Sequence, residues 1–300
     1  MKNQTKKKEF VDLHLHSNKS DGKLSPKEII DEAVQLGLKA IAITDHDTIE
    51  GSKEAIKHGK GKLEVVPGVE INCYEKEKGF PEIHVLGYLF NPEAKPINEI
   101  LQKASEERFY QKEKLVENLQ KMGYDISIDE VLQMAGGEVS RAHVAQILLK
   151  KYPDEFSSIP EVFEKYIGTH CPAYVERVCK STVNMAVEAI IKSGGIAVLA
   201  HPGAYKDKDA IELIKYFTEC GGKGLEIWYP YEKIFGHEGV TKEDEKRKIT
   251  LFKKIAQEKN LLMTGGSDFH SVIRNTQINE MKIPYSVVEK LKKAQKKREI

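Results

Sequence analysis

Residues 10–16 of the chain read Phe10-Val11-Asp12-Leu13-His14-Leu15-His16. The apolar start of this segment predicts a first strand from Phe10 to His14. Side chains alternate between the two faces of an extended chain, so the rings of His14 and His16 are expected on one face. Imidazole is a ligand that suits Zn²⁺, Mn²⁺ and Fe²⁺, and the pair is therefore a candidate half of a metal site.

Outward from this segment, short apolar runs alternate with amphipathic helical stretches, which is typical of an α/β fold with parallel strands. Ser25, Pro26 and Glu28 form a capping-box pattern that predicts a helix from Pro26 to Leu36, ended by Gly37. Further strands are predicted at residues 38–44, 63–66, 69–73, 83–89, 173–175, 196–200, 224–229 and 261–264, and further helices at 182–192, 209–220 and 242–259. About seven βα units favour a barrel over an open sheet.

Residues 92–170 interrupt this alternation. Helical patterns at 96–122, 129–134, 140–151 and 160–167 follow one another without a convincing strand. We therefore predict a helical insertion at 92–170 in a barrel formed by residues 1–91 and 171–300. The final stretch, 285–300, is predicted to be a solvated basic helix or a fraying tail.

Composition limits the classes of partner. The 300 residues carry 47 basic and 46 acidic side chains, so the net charge is +1 and an anionic substrate must be held by local charges. The lysine-rich start lacks an apolar signal segment and no run is long enough for a membrane span, so we expect a cytoplasmic protein without membrane contact or an obligate protein partner. The four cysteines show no Cys-x-x-Cys spacing and are expected to be reduced and mostly buried, which excludes a disulfide scaffold and a zinc ribbon: Cys73, Cys171, Cys179 and Cys220.

More metal-binding side chains fall at or near the ends of predicted strands. They are Asp45, His46, Glu70, His84, His201, Asp268 and His270. In a parallel αβ barrel the strand ends share one rim, so these residues are expected to converge with His14 and His16. Their joint placement predicts a metal site, although each short motif alone recurs by chance.

Several residues keep two interpretations. Asp45 is a further candidate ligand, and Asp47 is either a ligand or the start of a helix. Gly265-Gly266-Ser267 either brings backbone amides close to a ligand or forms a tight turn, and Pro202-Gly203 fits a plain turn. The role of His143 stays open. The remaining histidines are interpreted as structural or surface residues: His58, His170 and His237.

Seven motifs together resemble the PHP (polymerase and histidinol phosphatase) family of metal-dependent phosphoesterases, in family order and over nearly the whole chain. They are Asp12-Leu13-His14-Leu15-His16-Ser17 with Ser20-Asp21-Gly22, Thr44-Asp45-His46-Asp47-Thr48, Pro67-Gly68-Val69-Glu70-Ile71, His84-Val85-Leu86-Gly87, Ala200-His201-Pro202 and Gly266-Ser267-Asp268-Phe269-His270. The insertion, with Ser140, Arg141 and His143, resembles the stand-alone branch of 3',5'-nucleoside bisphosphate phosphatases and 5'-to-3' oligonucleotide exonucleases.

The resemblance implies a distorted (β/α)7 barrel that holds two or three divalent ions, Mn, Zn or Fe. It implies one ion held by His14, His16, Glu70 and Asp268, a second held by Glu70, His84 and His201, and a third held by Asp21, His46 and His270. Glu70, Asp268 and His201 are the implied catalytic residues. Every implied ligand position carries a competent side chain, which favours an enzyme over a metal-stabilised regulatory module.

The resemblance also implies that the insertion binds substrate. Arg141, with Ser140 as a possible helix cap, is a candidate for binding a second phosphate, and His143 and Arg108 complete the candidate set. Gln111 stands where the branch has a second arginine, which weakens the bisphosphate interpretation. The predicted function is hydrolysis of a small phosphorylated nucleotide or of the 5' end of a short oligonucleotide. The alternatives are a histidinol-phosphate or other alcohol or sugar phosphate, a non-catalytic module, and an amidohydrolase-like reaction, which is disfavoured because no lysine stands at position 70.

Overall fold

A computed structural model describes residues 9–135, 139–176, 181–271 and 275–297. The chain divides into two compact units. Unit 1 is Met1–Leu101 together with Ser181–Ile300, and unit 2 is Gln102–Lys180. Each unit has a hydrophobic core of its own.

Unit 1 contains the strands of the described residues, arranged in two sheets. The first has the order β3-β2-β1-β9 and the second the order β4-β5-β6-β7-β8. Their bounds are β1 Phe10–Leu15, β2 Ala40–Ile43, β3 Glu64–Val65, β4 Gly68–Glu75, β5 Phe80–Tyr88, β6 Ile196–Leu199, β7 Gly224–Trp228, β8 Leu262–Gly265 and β9 Ile283–Pro284. The predicted α/β class is confirmed.

The prediction that the strands are parallel is wrong for part of each sheet, and in the first sheet β9 pairs antiparallel to β1. β1–β2, β2–β3, β6–β7 and β7–β8 are parallel, whereas β4–β5 and β5–β6 are antiparallel. Only a short connection, which includes a 3₁₀ turn at Lys76–Lys78, separates β4 from β5. A parallel crossover needs about a dozen residues or more, so this pair can only form a hairpin.

Two isolated parallel bridges join segments that belong to the different sheets. Leu15 at the end of β1 pairs with Phe269, and His46 pairs with Glu70 of β4. Within the described residues the sheets do not form one closed ladder. The closed barrel therefore remains a prediction.

The helices of unit 1 follow the predicted capping signals where those signals are strong. At α1, Pro26–Gln35, the backbone N–H of Ser25 donates to Glu28 Oε2 at 2.8 Å and the backbone N–H of Glu28 donates to Ser25 Oγ at 3.3 Å. The other helices are α2 Glu50–Gly59, α7 Val183–Lys192, α8 Asp207–Glu219, α9 Tyr231–Phe235, α10 Lys242–Glu258 and α11 Ser286–Lys296. Gly37 ends α1 with φ +71°, a conformation that glycine adopts without strain.

One further prediction is wrong, because residues 173–175 form no strand; Tyr174 and Val175 lie in irregular backbone. The C-terminal stretch forms a helix, which was one of its two predicted alternatives. It is not fully solvated, because α11 buries Val287, Val288 and Leu291 in the core of unit 1. α2, Glu50–Gly59, follows the possible helix start at Asp47, but its bounds were not predicted, and its buried positions are small residues.

The regular secondary structure of the described residues of unit 2 is helical. It contains most of α3, Lys95–Lys121, together with α4 Ile128–Ala135, α5 Arg141–Lys151, α6 Ile159–Val162 and a π-helical turn at Phe163–Ile167. Leu119, Val131, Leu148 and Phe156 belong to its buried core. The helical character of this segment agrees with the sequence pattern.

None of the described helices is long and apolar enough to cross a bilayer. Cys73, Cys171 and Cys220 are free thiols, and of these only Cys73 is fully buried. Burial raises the pKa of the Cys73 thiol well above its ordinary value. Cys179 lies outside the described residues.

Candidate metal centre

Glu70 lies at the middle of a cluster of histidines in unit 1. Its Oε2 atom is 3.3 Å from His14 Nε2, 3.2 Å from His16 Nε2 and 3.2 Å from His46 Nδ1. Its Oε1 atom is 3.1 Å from His84 Nδ1 and 3.2 Å from His201 Nε2. The two oxygens of one carboxylate thus face two different sets of rings.

Asp21 gathers a neighbouring set of histidines. Its Oδ1 atom is 3.1 Å from His270 Nε2 and 3.4 Å from His16 Nδ1, and its Oδ2 atom is 3.8 Å from His46 Nε2. Half of the Asp21 side chain is exposed, whereas His16 and His270 are buried. The sets around Asp21 and Glu70 share His16 and His46.

Asp268 closes the cluster on the side of β8. Its Oδ1 atom is 3.4 Å from His14 Nε2 and 3.2 Å from His16 Nε2. The hydroxyl of Tyr229 donates to its Oδ2 atom at 2.6 Å, which fixes the orientation of the carboxylate. All nine residues that the resemblance predicts as ligands are therefore brought together in unit 1.

β1 and β4 hold the centre of the cluster. His14 and His16 project from the same face of the chain at the end of β1, and their Nε2 atoms are 3.1 Å apart. The backbone N–H of Asp47 donates to Glu70 O at 2.8 Å, which fastens the loop carrying His46 to β4. His201 follows β6 with φ +26°, in a turn where the Tyr231 hydroxyl accepts from the Gly203 N–H.

Glu226 is a site residue that the sequence did not reveal. It is fully buried in β7; its Oε1 atom is 2.9 Å from His14 Nδ1, and its Oε2 atom accepts the backbone N–H of His201 at 2.8 Å. A carboxylate that accepts from Nδ1–H leaves the lone pair on Nε2, the atom that faces Glu70. The only signal was a single acidic residue inside an otherwise apolar strand.

The two aspartates around His46 have structural partners. Asp45 accepts from the backbone N–H and hydroxyl of Ser17 and from the Ser20 hydroxyl, each at 2.7 Å. Asp47 accepts from the backbone and side-chain amides of Asn72, both at 2.8 Å. Asp47 does not start a helix, because the residue that precedes α2 is Ile49.

The glycines before Asp268 permit a close approach between β8 and β1. A Cβ atom on Gly266 would lie 2.2 Å from His14 Cβ, so no larger residue fits there. The next N–H, of Ser267, donates to Asp12 Oδ1 at 2.9 Å. These contacts explain the glycines through packing. Pro202–Ala204 forms the short turn expected after His201.

Burial and dense charge shift the pKa values in the cluster. Burial alone would lower the pKa of His14, but the charges of Glu226, Glu70 and Asp268 raise it well above the ordinary value. Burial likewise opposes the shift of His84, whose pKa Glu70 raises to about 10. Nearby histidines hold the pKa of Glu70 well below its usual range despite its burial. These pKa shifts favour the ionised carboxylate of Glu70 and the protonated rings of His14 and His84.

The donor set fits divalent metal ions. Two ligand atoms about 2.1 Å from a shared ion, at angles of about 90° to 110°, are about 3.0 to 3.4 Å apart. His14, His16 and Asp268 meet this requirement at 3.1 to 3.4 Å. Three overlapping groups each place all their ligand atoms within 4.8 Å of one another: His16, Asp21, His46 and His270; His14, His16 and Glu70; and His46, Glu70 and His84.

The predicted substrate-binding residues all lie in unit 2. Arg141 Nη1 donates to Ile167 O at 3.2 Å, and its guanidinium lies 5.6 Å from the ring centres of Phe163 and Tyr174. His143 Nδ1 accepts the backbone N–H of Ser140 at 3.2 Å, which ties these two residues into the start of α5. Burial lowers the pKa of His143.

On α3, Arg108 is buried and the side-chain amide of Gln111 donates to Val175 O. These contacts lie within unit 2, and the predicted role of Arg108, Ser140, Arg141 and His143 in substrate binding stays a prediction.

A cavity of about 640 Å³ in unit 1 borders the metal-binding cluster through His84 and His201. Its other walls come mainly from the segment between β7 and α10. The remaining lining residues are Glu82, Ala204, Tyr205, Tyr229, Lys233, Ile234, Phe235, His237 and Asn275. His58, by contrast, lies apart, with Nε2 at 3.1 Å from Asp31 and 3.0 Å from Lys62 Nζ.

Comparison with known proteins gives consistent matches. The PHP domain model matches residues 12–177. A 5'-3' exoribonuclease of Haemophilus influenzae is 33% identical over 86% of this chain and 89% of its own length. A 3',5'-nucleoside bisphosphate phosphatase of Chromobacterium violaceum is 30% identical over 87% of each chain. The crystal structure of a metal-dependent phosphoesterase from Bifidobacterium adolescentis, described there as putative, superposes with a TM-score of 0.75 over 94% of this chain and 95% of its own, at 24% identity.

Proposed function

This chain belongs to the PHP domain family, and on that premise we propose that it hydrolyses phosphoesters of nucleotides or short oligonucleotides with bound divalent metal ions. The observation that carries the proposal is the position of Glu70, whose two oxygens lie 3.1 to 3.3 Å from five histidine nitrogens. A carboxylate placed in this way is suited to bridge two ions.

The proposed ligand sets are those that the family resemblance implies, and the short distances within the cluster support them. His14, His16, Glu70 and Asp268 would hold one ion, and Glu70, His84 and His201 a second. Asp21, His46 and His270 would hold a third. Imidazole and carboxylate donors suit Mn, Zn or Fe, and two or three ions are proposed.

Bound ions would supply the Lewis acidity that activates water and offsets charge on the reacting phosphate. The protein supports this chemistry by fixing its ligands before substrate arrives. Glu226 would accept from His14 Nδ1 when His14 binds an ion through Nε2, and it anchors the backbone of His201. Tyr229 holds Asp268 so that Oδ1 faces the cluster. Glu70, Asp268 and His201 are the proposed catalytic residues.

The finer architecture is part of the same proposal. The bridges Leu15–Phe269 and His46–Glu70 support a distorted (β/α)7 barrel built from both sheets. The helical insertion, 92–170, is proposed to contribute substrate recognition through Arg108, Ser140, Arg141 and His143. The family relatives whose names mention nucleotide or RNA substrates support this substrate class.

A metal-supplemented substrate screen tests the function. The purified protein is stripped of metal, reloaded with Mn²⁺, Zn²⁺ or Fe²⁺, and offered a nucleoside 3',5'-bisphosphate, a 5'-phosphorylated oligoribonucleotide and histidinol phosphate. We expect metal-dependent release of phosphate or mononucleotide from the first two. Preference for histidinol phosphate would favour the alcohol-phosphate alternative, and no turnover with any metal would favour a non-catalytic module. A carbon–nitrogen hydrolase remains disfavoured because position 70 is glutamate.

A further inference from the structure

The cavity beside His84 and His201 has walls that the metal chemistry does not use. These walls come from α9, Tyr231–Phe235, and the 3₁₀ turn Gly236–Glu238. This segment interrupts the simple passage from β7 to α10. It places Lys233, Ile234, Phe235 and His237 on the cavity.

Phe235 and Ile234 are not part of the hydrophobic core. Both are partly exposed, and neither belongs to any of the four hydrophobic clusters of the described residues. Their neighbour Tyr231, by contrast, is fully buried, and its hydroxyl accepts from Gly203 N–H at 2.9 Å. The segment is thus anchored by Tyr231, while Phe235 presents apolar surface to the open cavity. An apolar group bound there would remove this surface from water.

The charges around the cavity do not suit a second phosphate. Lys233 Nζ donates to Glu280 Oε2 at 2.8 Å, so its charge is already compensated. Glu82 adds a negative charge to the lining, and its Oε1 atom is 3.5 Å from His84 Nε2. Among the described lining residues no arginine faces the cavity. An uncharged part of the substrate is therefore favoured over an anionic one.

We propose that this cavity binds the nucleobase of the substrate nucleotide, with Phe235 as the stacking face and His237 at the open edge. The proposal rests on the proposed function, because it places the reacting phosphate at the metal centre, which the cavity borders through His84 and His201. The volume of about 640 Å³ is within the usual range of small-molecule sites and is ample for a nucleoside. Stacking on an aromatic ring accepts any base, so the cavity gives preference for nucleotides without strict sequence preference.

It follows that two parts of the protein recognise two parts of the substrate. The reacting phosphate is recognised by the metal centre, and the base by an apolar wall that a phosphorylated sugar or alcohol leaves empty. A base-free ester should therefore react through the same centre with weaker binding. His237, interpreted from the sequence as a structural or surface residue, would contribute to nucleotide binding but not to metal binding.

The test compares two variants of Phe235 on two substrates. Phe235→Leu keeps apolar volume without a ring, and Phe235→Tyr keeps the ring. The substrates are the nucleoside 3',5'-bisphosphate and ribose 5-phosphate, with a constant concentration of Mn²⁺. We expect Phe235→Leu to lower kcat/KM for the nucleotide by roughly tenfold to a hundredfold, mainly through KM, and to leave ribose 5-phosphate nearly unchanged. Phe235→Tyr should stay within about threefold of wild type on both.

Two histidine variants provide a test that does not depend on the stability of the protein. The His237 side chain is 73% exposed, so His237→Ala should leave the melting temperature unchanged and still raise KM for the nucleotide. His58→Ala is the matched control, and neither KM nor kcat should change. Equal effects of Phe235→Leu on both substrates, or no effect on either, would overturn the base site.

Direct binding separates failure of this inference from failure of the proposed function. Calorimetry or ligand-observed NMR measures binding of adenosine 5'-monophosphate to wild type and to Phe235→Leu. Weaker binding to Phe235→Leu supports the base site even if the wild type hydrolyses no phosphoester in the screen. Equal binding to both proteins overturns it even if the enzyme is active.

Discussion

Glu70 is the residue on which the proposed chemistry depends most. It is almost completely buried and faces ring nitrogens on both of its oxygens. Glu70→Gln removes the negative charge shared between the proposed ions while keeping the shape of the side chain. We expect kcat to fall about a hundredfold or more, with a much smaller change in substrate affinity, because activation of water depends on that charge.

Steady-state kinetics and a melting curve check this expectation together. Glu93→Gln, an exposed glutamate of the same unit, is the control and should behave as wild type. A Glu70→Gln protein that keeps near wild-type turnover would rule out a bridging role for this carboxylate.

Individual histidines can be separated into ligands and bystanders by metal content. His14→Ala, His201→Ala and His270→Ala each remove a ring nitrogen from the cluster and should lower the metal bound per chain. His58→Ala and His237→Ala should retain it, because His58 contacts Asp31 and His237 is largely exposed. Elemental analysis of the five purified proteins provides the measurement. Equal metal content in all five would show that the site lies elsewhere.

Some residues of the metal-binding cluster could be predicted from the sequence, and others could not. His14 and His16 could be predicted to act together, because strand periodicity alone puts them on one face. Glu226 could not, because its role depends on the pairing of β7 with β6 and on a side-chain contact with His14, and a single glutamate carries no spacing signal. Asp45 and Asp47 resembled ligands in sequence, whereas their contacts to Ser17 and Asn72 exist only in three dimensions.

Among the helices, α5 carries the candidate for recognition of a second phosphate. Arg141 already donates to Ile167 O and lies over Phe163 and Tyr174, so its removal also has a structural cost. We expect Arg141→Ala to reduce kcat/KM for a 3',5'-bisphosphate roughly tenfold to a hundredfold and to spare the matching monophosphate. Arg141→Lys should recover part of the loss, since it keeps the charge but not the planar fork.

Kinetics on both substrates, with a melting curve for each variant, separates the two roles. Equal losses on both substrates, accompanied by a lower melting temperature, would assign Arg141 to the stability of unit 2. Unchanged kinetics on both substrates would show that Arg141 does not bind the second phosphate.

Helix α11 provides a test of the stability of unit 1 alone. Leu291 is 1% exposed and belongs to the same core cluster as Val11 of β1 and Val198 of β6. Leu291→Ala should lower the free energy of unfolding by about 2 to 5 kcal/mol, whereas Lys293→Ala on the exposed face should change it by about 0.5 kcal/mol or less. Denaturant titration measures both. Equal, negligible effects would restore the interpretation of this stretch as a loose tail.

The elements differ in how far local sequence predicts them. α1 could be predicted closely because Ser25, Pro26 and Glu28 form its cap from neighbouring residues. The antiparallel pairing of β4 with β5 follows from their short connection, which outweighs the parallel trend of the other units. For α11 a helix is predicted as one alternative, but the lysines that dominate its composition obscure the buried face of Val287, Val288 and Leu291. Periodicity identifies such elements, while their partners are fixed by the tertiary fold.

For the whole molecule, the proposed metal centre should stabilise unit 1 and not unit 2. All the proposed ligands lie in unit 1, and unit 2 has its own core around Leu119, Leu148 and Phe156. The single tryptophan, Trp228, is in β7 and reports on unit 1 alone, whereas far-ultraviolet circular dichroism also reports on the helices of unit 2. Metal at a hundred times its Kd adds about 2.7 kcal/mol to the native state that binds it.

We expect metal removal by a chelator to lower the midpoint of thermal unfolding followed by Trp228 fluorescence by roughly 5 to 10 °C. If unit 2 unfolds independently, the circular dichroism signal should separate into a metal-sensitive and a metal-insensitive part. If the units unfold together, both probes shift equally. Readdition of Mn²⁺ or Zn²⁺ should restore the midpoint in wild type, but restore it less in His14→Ala, since that variant has lost a ligand of the buried centre. A fluorescence midpoint that is the same with chelator and with metal would show that the cluster around Glu70 does not bind ions in the folded protein.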